Sequence, residues 1–201
     1  MLTHIRPALV LLALFSVLTG IVYPLAVTGL AQLALPRQAN GSVIEKDGKV
    51  VGSALMGQAF AAGKYFHGRP SATSAPDPKD DTKTIDVPYN AANSSGSNLG
   101  PVSKKLLDRV KADADALKAE SGLATVPADS VTTSASGLDP HISPAFAKAQ
   151  AGRVAKARNL TEDRVRGLII EMTEHPAFNL VGEERVNVLL LNLAIDRLSS
   201  S

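Results

Sequence analysis

Residues 134–143, Ser-Ala-Ser-Gly-Leu-Asp-Pro-His-Ile-Ser, bring Ser136, Asp139 and His141 close together in a chain with only four histidines and no cysteine. These are the residue types of a nucleophile, an orienting carboxylate and a general base, so the first chemistry to weigh is hydrolysis. Such a site needs the serine within hydrogen-bond reach of the base. In known folds the three groups converge from distant positions, because neighbours on one short loop seldom aim at a common point. The Gly-x-Ser-x-Gly elbow is also missing, since residue 134 is serine. The same stretch carries strong structural punctuation. Asp139-Pro140 favours a turn, and Ser143-Pro144 supplies an N-cap followed by proline at the first helical position. Asp139, Pro140 and Ser143 are therefore read as turn and cap residues, and no catalytic residue is assigned.

Other candidate sites are weaker. Gly52 and Gly57 have the spacing of a phosphate-binding loop, but Gln58-Ala59 stands where lysine and a hydroxyl residue would act on phosphate and Mg²⁺. Residues 94–100, Ser-Ser-Gly-Ser-Asn-Leu-Gly, could form a nest of backbone N–H groups for an anion, although such loops more often only turn the chain. His4, His67, His141 and His175 show no tight ligand spacing, so no metal site is expected. Between 64 and 72, Lys64, Tyr65, Phe66, His67 and Arg69 cluster in a loop. They either anchor a partner or tuck their rings under the chain that follows. On the helix expected after Pro144, Phe146, Gln150, Arg153 and Ala157 share a face. Buried, the amide and guanidinium must be paired; exposed, they would form an interaction face.

The elements that position these groups follow from periodicity and breaks. Residues 8–35 are apolar, with no charged side chain between Arg6 and Arg37. A bilayer needs about 20 such residues, whereas a cleavable signal has an apolar core of about 7–15, so a retained transmembrane helix is expected. Pro24 should kink it, which membrane helices tolerate when neighbouring helices satisfy the freed carbonyl. The short tail, residues 1–7, carries the amine, His4 and Arg6, which favours a cytoplasmic N-terminus. Residues 36–201 then form one compact extracytoplasmic α+β domain. The net charge of +2, with three tyrosines, five phenylalanines and no tryptophan, argues against a nucleic-acid surface.

Within that domain, Asp47-Gly48 predicts a hairpin between strands at 42–46 and 49–56. From 70 to 101, Ser, Asn, Asp, Gly and Pro predict a long loop, either functional or disordered. Three helices follow. One is capped by Ser103 with Leu107, Val110, Ala114 and Leu117 inward, and one begins at Pro144. The third begins near Thr161 with Val165, Leu168, Ile169 and Met172 inward and ends at His175-Pro176. The last segment, residues 185–198, is apolar nearly all round and fits a strand and a helix equally.

In order and spacing these motifs resemble KdpC, the C-subunit family of the Kdp potassium-importing P-type ATPase. The resemblance rests on Gly57-Gln58 with Phe60, Tyr65-Phe66, Gly68-Arg69-Pro70-Ser71-Ala72, Tyr89-Asn90 and Gly96-Ser97-Asn98-Leu99. It continues through Pro127-Ala128-Asp129, residues 132–140, Gln150, Arg153-Val154-Ala155, Gly182, Arg185 to Leu189, and Asn192. Ser95 departs from the second glycine usual before Gly96, which weakens a tight anion nest there. The resemblance implies a non-enzymatic accessory subunit of a high-affinity, ATP-driven potassium import complex. It would lie in the bacterial inner membrane as a single-pass protein with a periplasmic domain, in contact with lipid, a potassium-conducting subunit and an ATP-hydrolysing subunit. Two roles are implied. In one, the chain is a catalytic chaperone that raises the hydrolysing subunit's ATP affinity, with Gln150 contacting the shared nucleotide. In the other, it assists assembly and modulates the potassium intake side. An extracytoplasmic Gln150 conflicts with the first role, because ATP is cytoplasmic. Tyr65, Phe66, Arg69 and Arg153 are the candidates for facing partners. The chain lacks both the Asp-Lys-Thr-Gly phosphorylation motif and a Thr-Val-Gly-Tyr-Gly filter. From other classes, the alternatives are a membrane-anchored envelope hydrolase using Ser136, Asp139 and His141, and a single-span scaffold of another complex.

Overall fold

The computed structural model describes residues 2–176 and 180–199. The chain divides into two units, Met1–Ser53 and Ala54–Ser201.

In the first unit, helix α1 (Leu2–Val17) passes through a π-helical turn (Leu18–Val22) into α2 (Tyr23–Ala34), and α3 (Pro36–Ala39) is a single turn. Thr3–Ala34 makes one helix long and apolar enough to cross a membrane, with a mean hydropathy of 2.3 over an 18-residue window. Pro24 has no N–H to continue the α pattern. The turn before it widens, so that Tyr23 N–H donates to the Leu18 carbonyl five residues back. Strands β1 (Val43–Lys46) and β2 (Lys49–Ser53) pair antiparallel across Asp47-Gly48. Both turn residues have positive φ, +54° and +72°, as the tightest hairpin turn requires. The hairpin stops at Ser53, whose hydroxyl donates to the Gly41 carbonyl at 2.6 Å. It groups with the apolar helix, and the second unit starts at Ala54.

The second unit mixes helices and small sheets. Strands β3 (Ser74–Asp77) and β4 (Asp80–Asp86) form a hairpin inside the stretch expected to be a long loop. The strands escaped notice because charged and hydroxyl residues line them, leaving no apolar alternation to read. The rest of 70–101 is ordered by polar side chains that bond backbone. Ser71 Oγ donates to Gly137 O, Thr73 Oγ1 to Val87 O, and Asn90 Nδ2 to Ser74 O, at 2.6–2.8 Å.

Helix α4 (Lys104–Ser121) follows Ser103, whose hydroxyl makes no capping bond. Leu107 is 58 % exposed, and Leu106 takes its place beside Val110, Ala114 and Leu117 on the half-buried face. A 3₁₀ turn (Ala128–Ser130) leads to β5 (His141–Ile142), α5 (Pro144–Arg158), α6 (Glu162–Glu171), β6 (Thr173–Glu174), β7 (Arg185–Asn187) and α7 (Val188–Ser199). Helix α6 buries Val165, Leu168 and Ile169. It ends at Glu171, before His175-Pro176, because the chain leaves it to pair as β6. Strand β7 lies between β5 and β6, antiparallel to both. The ambiguous C-terminal segment is thus both of its readings in turn. Val186 alternates into the sheet, and from Val188 the helical period carries Leu191 and Ile195 into the core with Phe66, Phe146, Val154 and Ile169.

Candidate functional site

Helix α5 carries the polar centre of the second unit, and its start is heavily secured. Ser143 Oγ accepts from Phe146 N–H at 3.0 Å and donates to Asp129 Oδ1 at 2.9 Å, while Ser143 N–H donates to Asp129 Oδ2 at 2.7 Å. Upstream, Asp139 Oδ1 accepts from His141 N–H at 2.9 Å, closing the turn at Pro140. Asp139 Oδ2 accepts from Arg69 Nη1 at 3.0 Å. Burial pushes the Asp139 carboxyl upward, but hydrogen bonds from His141 and Arg69, with the Arg69 charge, outweigh it and hold it below the ordinary value. Ser136 Oγ accepts from Leu138 N–H at 3.1 Å, and the Ser136 carbonyl receives Ser95 N–H and Ser94 Oγ. The serine thus serves the turn, and the aspartate serves Arg69.

After a turn at 62–65, residues 66–69 belong to no helix or strand and Phe66 is buried, so their backbone needs partners that no strand supplies. Two amides provide them. Gln150, 1 % exposed, donates from Nε2 to His67 O at 3.0 Å and accepts His67 N–H at Oε1 at 2.8 Å. Asn192 on α7, 2 % exposed, does the same for Phe66, at 3.0 and 2.8 Å. Arg153 adds Nη1 bonds to Gly63 O and Tyr65 O, an Nη2 bond to Gln150 Oε1 at 2.6 Å and an Nε bond to Glu120 Oε1 at 2.7 Å. Asn192 entered the sequence reading only as part of the family pattern, and Asp129 likewise. A polar residue amid "LLLNLAI" was the available signal, since a buried amide must be paired.

Of the four residues offered as partner-facing, Phe66 is corrected outright: it is wholly buried, because Gln150 and Asn192 draw the backbone on either side of it inward. Tyr65 is half-buried, with Phe60 at 5.5 Å between ring centroids and with Lys64 Nζ and the Arg158 guanidinium at 5.2 and 4.9 Å from its ring. Arg69 and Arg153 are committed within the chain. Ala157, placed on the face with Gln150, is exposed. Tyr89, at φ +59°, donates its hydroxyl to Arg69 O at 2.8 Å, and burial, aided by the Asp139 charge, pushes its pKa up to about 12. The glycines of the motif make room for its ring: a Cβ on Gly68 would lie 2.2 Å from Tyr89 Oη, and one on Gly57 2.4 Å from Tyr89 Cε1.

A cleft of about 360 Å³ opens among α4, α5 and residues 67–70, lined by His67, Asp113, Leu117, Glu120, Gln150 and Arg153. Burial, then the Arg153 charge, lowers the pKa of His67. Within the cleft Gln150 bonds His67 and Arg153, Arg153 also bonds Glu120 and the backbone of 63 and 65, and Asp113 pairs with Arg109. Among the described residues no cluster suits a metal ion.

Compared with known proteins, the chain matches the family described as "KdpC: K+-transporting ATPase, c chain" over residues 5–197. It is 62 % identical over 197 residues to the "Potassium-transporting ATPase KdpC subunit" of Bradyrhizobium diazoefficiens, covering 98 % of both chains. The protein of the same description from Rhodopseudomonas palustris is 61 % identical over 98 % of both. That from Methylobacterium nodulans is 58 % identical over 99 % of both. With the family match running nearly end to end and relatives at this identity, the chain belongs to the KdpC family, the c chain of the K+-transporting ATPase.

Proposed function

We propose that this chain is a non-catalytic accessory subunit of an ATP-driven potassium importer. Residues 8–35 cross the inner membrane once, the N-terminus is cytoplasmic and the second unit lies in the periplasm. There it steadies the complex and modulates the intake side of the potassium-conducting subunit. The observation that carries this over the chaperone role is the state of Gln150: its amide is buried, its nitrogen donating to His67 O and its oxygen accepting from His67 N–H and Arg153. A residue so used offers nothing to ATP unless the clamp opens, and an ATP shared with the hydrolysing subunit would lie across the membrane from it. His4 and Arg6 on the short tail support the orientation.

The test is a pair of fusions after Ser201 in the intact complex. Alkaline phosphatase, active only outside the cytoplasm, is expected to be active, and green fluorescent protein exported by the same route dark. The reverse result would return the second unit to the cytoplasm and favour the chaperone role. A folded Gln150→Glu complex is then expected to keep its KM for ATP, whereas a tenfold rise sinks the intake-side reading.

A further inference from the structure

Helix α4 is held in place by little. None of its 18 residues is buried, and it packs chiefly on α5. Leu117 reaches the core, and Glu120 Oε1 accepts from Arg153 Nε at 2.7 Å. Arg109 holds the seat imperfectly. Its Nη1 donates to Asp113 Oδ2 and Val131 O, both at 3.0 Å, but its Nε and Nη2 are buried with no hydrogen-bond partner among the described residues. Those two nitrogens share one edge of the guanidinium, the edge that suits a two-toothed acceptor. A charged edge without acceptors favours any arrangement that returns it to water. The ends of the helix offer little resistance. Ser103 adds no side-chain capping bond, and at Gly100 and Gly122 a Cβ would meet nothing within 4 Å. Between α4 and α5 lies the cleft of about 360 Å³, and the buried residues Ser130, Phe146 and Gln150 stand on its walls.

We propose that α4 is a lid on this cleft. It swings out on Gly100 and Gly122 as one piece, parting Glu120 from Arg153 and uncovering Ser130, Phe146 and Gln150, while α5, α6 and α7 keep their packing. On opening, the Arg109 edge gains water and Glu120 loses its partner, so opposed contributions leave the two states close in free energy. Helices α5 and α7 lack this freedom: α5 buries Phe146, Ala151 and Val154, and α7 carries Leu191 and Ile195 into the core. Arg153 keeps its bonds to Gly63 O, Tyr65 O and Gln150 when the lid lifts, so the clamp on His67 survives. What the lid controls is access to a surface with an apolar floor and an arginine at its edge. The lid and the cleft both belong to the second unit, so the inference is independent of the side of the membrane that unit faces.

The full chain in its assembled ATPase carries the test. Helical order in proteins comes mostly from packing, so α4 frays when it lifts and its amides become open to exchange. In hydrogen exchange on the wild type, the amides of α4 are expected to exchange together and roughly tenfold or more faster than those of α5. Equal rates overturn the proposal. The chain has no cysteine, so a single introduced thiol is a clean probe, read by the mass of this chain. Ser130→Cys, in the cleft wall, is expected to react with a maleimide at a rate set by opening, and Glu120→Gln should raise that rate about threefold, the size of a half-exposed ion pair. Val154→Cys, wholly buried on α5 and not part of the cleft lining, should react far more slowly and be unmoved by Glu120→Gln. A Ser130→Cys rate that Glu120→Gln leaves unchanged sinks the lid, and equal rates at positions 130 and 154 would mean that the whole unit unfolds instead. If Glu120→Gln prevents assembly, raising salt from about 0.1 M to about 0.5 M weakens the same ion pair without that substitution and should speed Ser130→Cys labelling likewise, no change again counting against the lid.

Discussion

Gln150 and Asn192 each bond both backbone groups of a single residue, and the two residues they hold, His67 and Phe66, are neighbours. This is the hydrogen-bonding pattern of a strand edge, delivered by side chains from two helices. Removing either amide leaves a buried N–H and C=O without partners, and in the Gln150 case an arginine donor as well. Gln150→Ala is expected to destabilise the chain by about 2–3 kcal/mol in urea titrations. Because the residues share one segment, Gln150→Ala and Asn192→Ala should couple by at least about 0.5 kcal/mol in a double-mutant cycle. Strict additivity would mean the clamps act independently. His67 adds a pH dependence. Burial and Arg153 hold its pKa below 6.5, so the unfolded chain takes up the proton first as pH falls. Stability should fall as pH drops from about 6.5 toward the lower folded value, and then level off. Thermal melts at pH 7.5 and 5.5 are expected to differ more in the wild type than in His67→Gln, and equal differences would remove His67 as the cause. Asp139 acts in a separate window. Its contribution is complete above the ordinary 3.8 and lost as pH falls through its lower folded pKa.

At the scale of elements, the turn 134–143 does more than start α5. Its Gly137, at φ +68°, lies against the segments on both sides of the β3–β4 hairpin, where a Cβ would meet Thr73 Cγ2 at 2.4 Å and Ser95 O at 2.7 Å. Gly137→Ala therefore combines backbone strain with a clash and should cost about 2–3 kcal/mol, read as a drop in melting temperature. Ser143→Ala removes the cap and the Asp129 contacts, for about 1 kcal/mol or more. Ser136→Ala loses one local bond and should stay within about 0.5 kcal/mol, with potassium transport by the complex unchanged. A complete loss of function from Ser136→Ala would revive the hydrolase alternative. Helix α4 is the least anchored of the longer helices of this unit. None of its residues is buried, and polar ties through Arg109 to Val131 O and through Glu120 to Arg153 supplement its half-buried face. Its exposed Leu107 follows from that loose seat, since a helix touching its neighbours along a narrow stripe leaves the flanking apolar residue outside.

At the scale of the molecule, the division after Ser53 gives the second unit its own core, so a chain of residues 54–201 is expected to unfold cooperatively in solution. A broad, non-cooperative melt would show that its order depends on the first unit or on partners. The long apolar segment, the hairpin at Asp47-Gly48, the cap at Ser143-Pro144 and the helix from Thr161 were legible because each is a local pattern, set by neighbours three or four residues away or by one turn. The family, too, was legible in the linear order of its motifs. What those motifs are for was not. The amides of Gln150 and Asn192 meet residues 83 and 126 positions away, and nothing in spacing says which backbone they hold. The sheet character of 70–101 was hidden for a related reason, since its strands and turns are stabilised by polar side chains reaching across the chain and leave no periodic trace. By itself the sequence determined the helix long enough for a membrane, the turns and the family. Only the tertiary structure decided that Gln150 is a clamp, that Phe66 is core and that the last segment is strand and then helix, because burial and pairing are properties of contacts between distant residues.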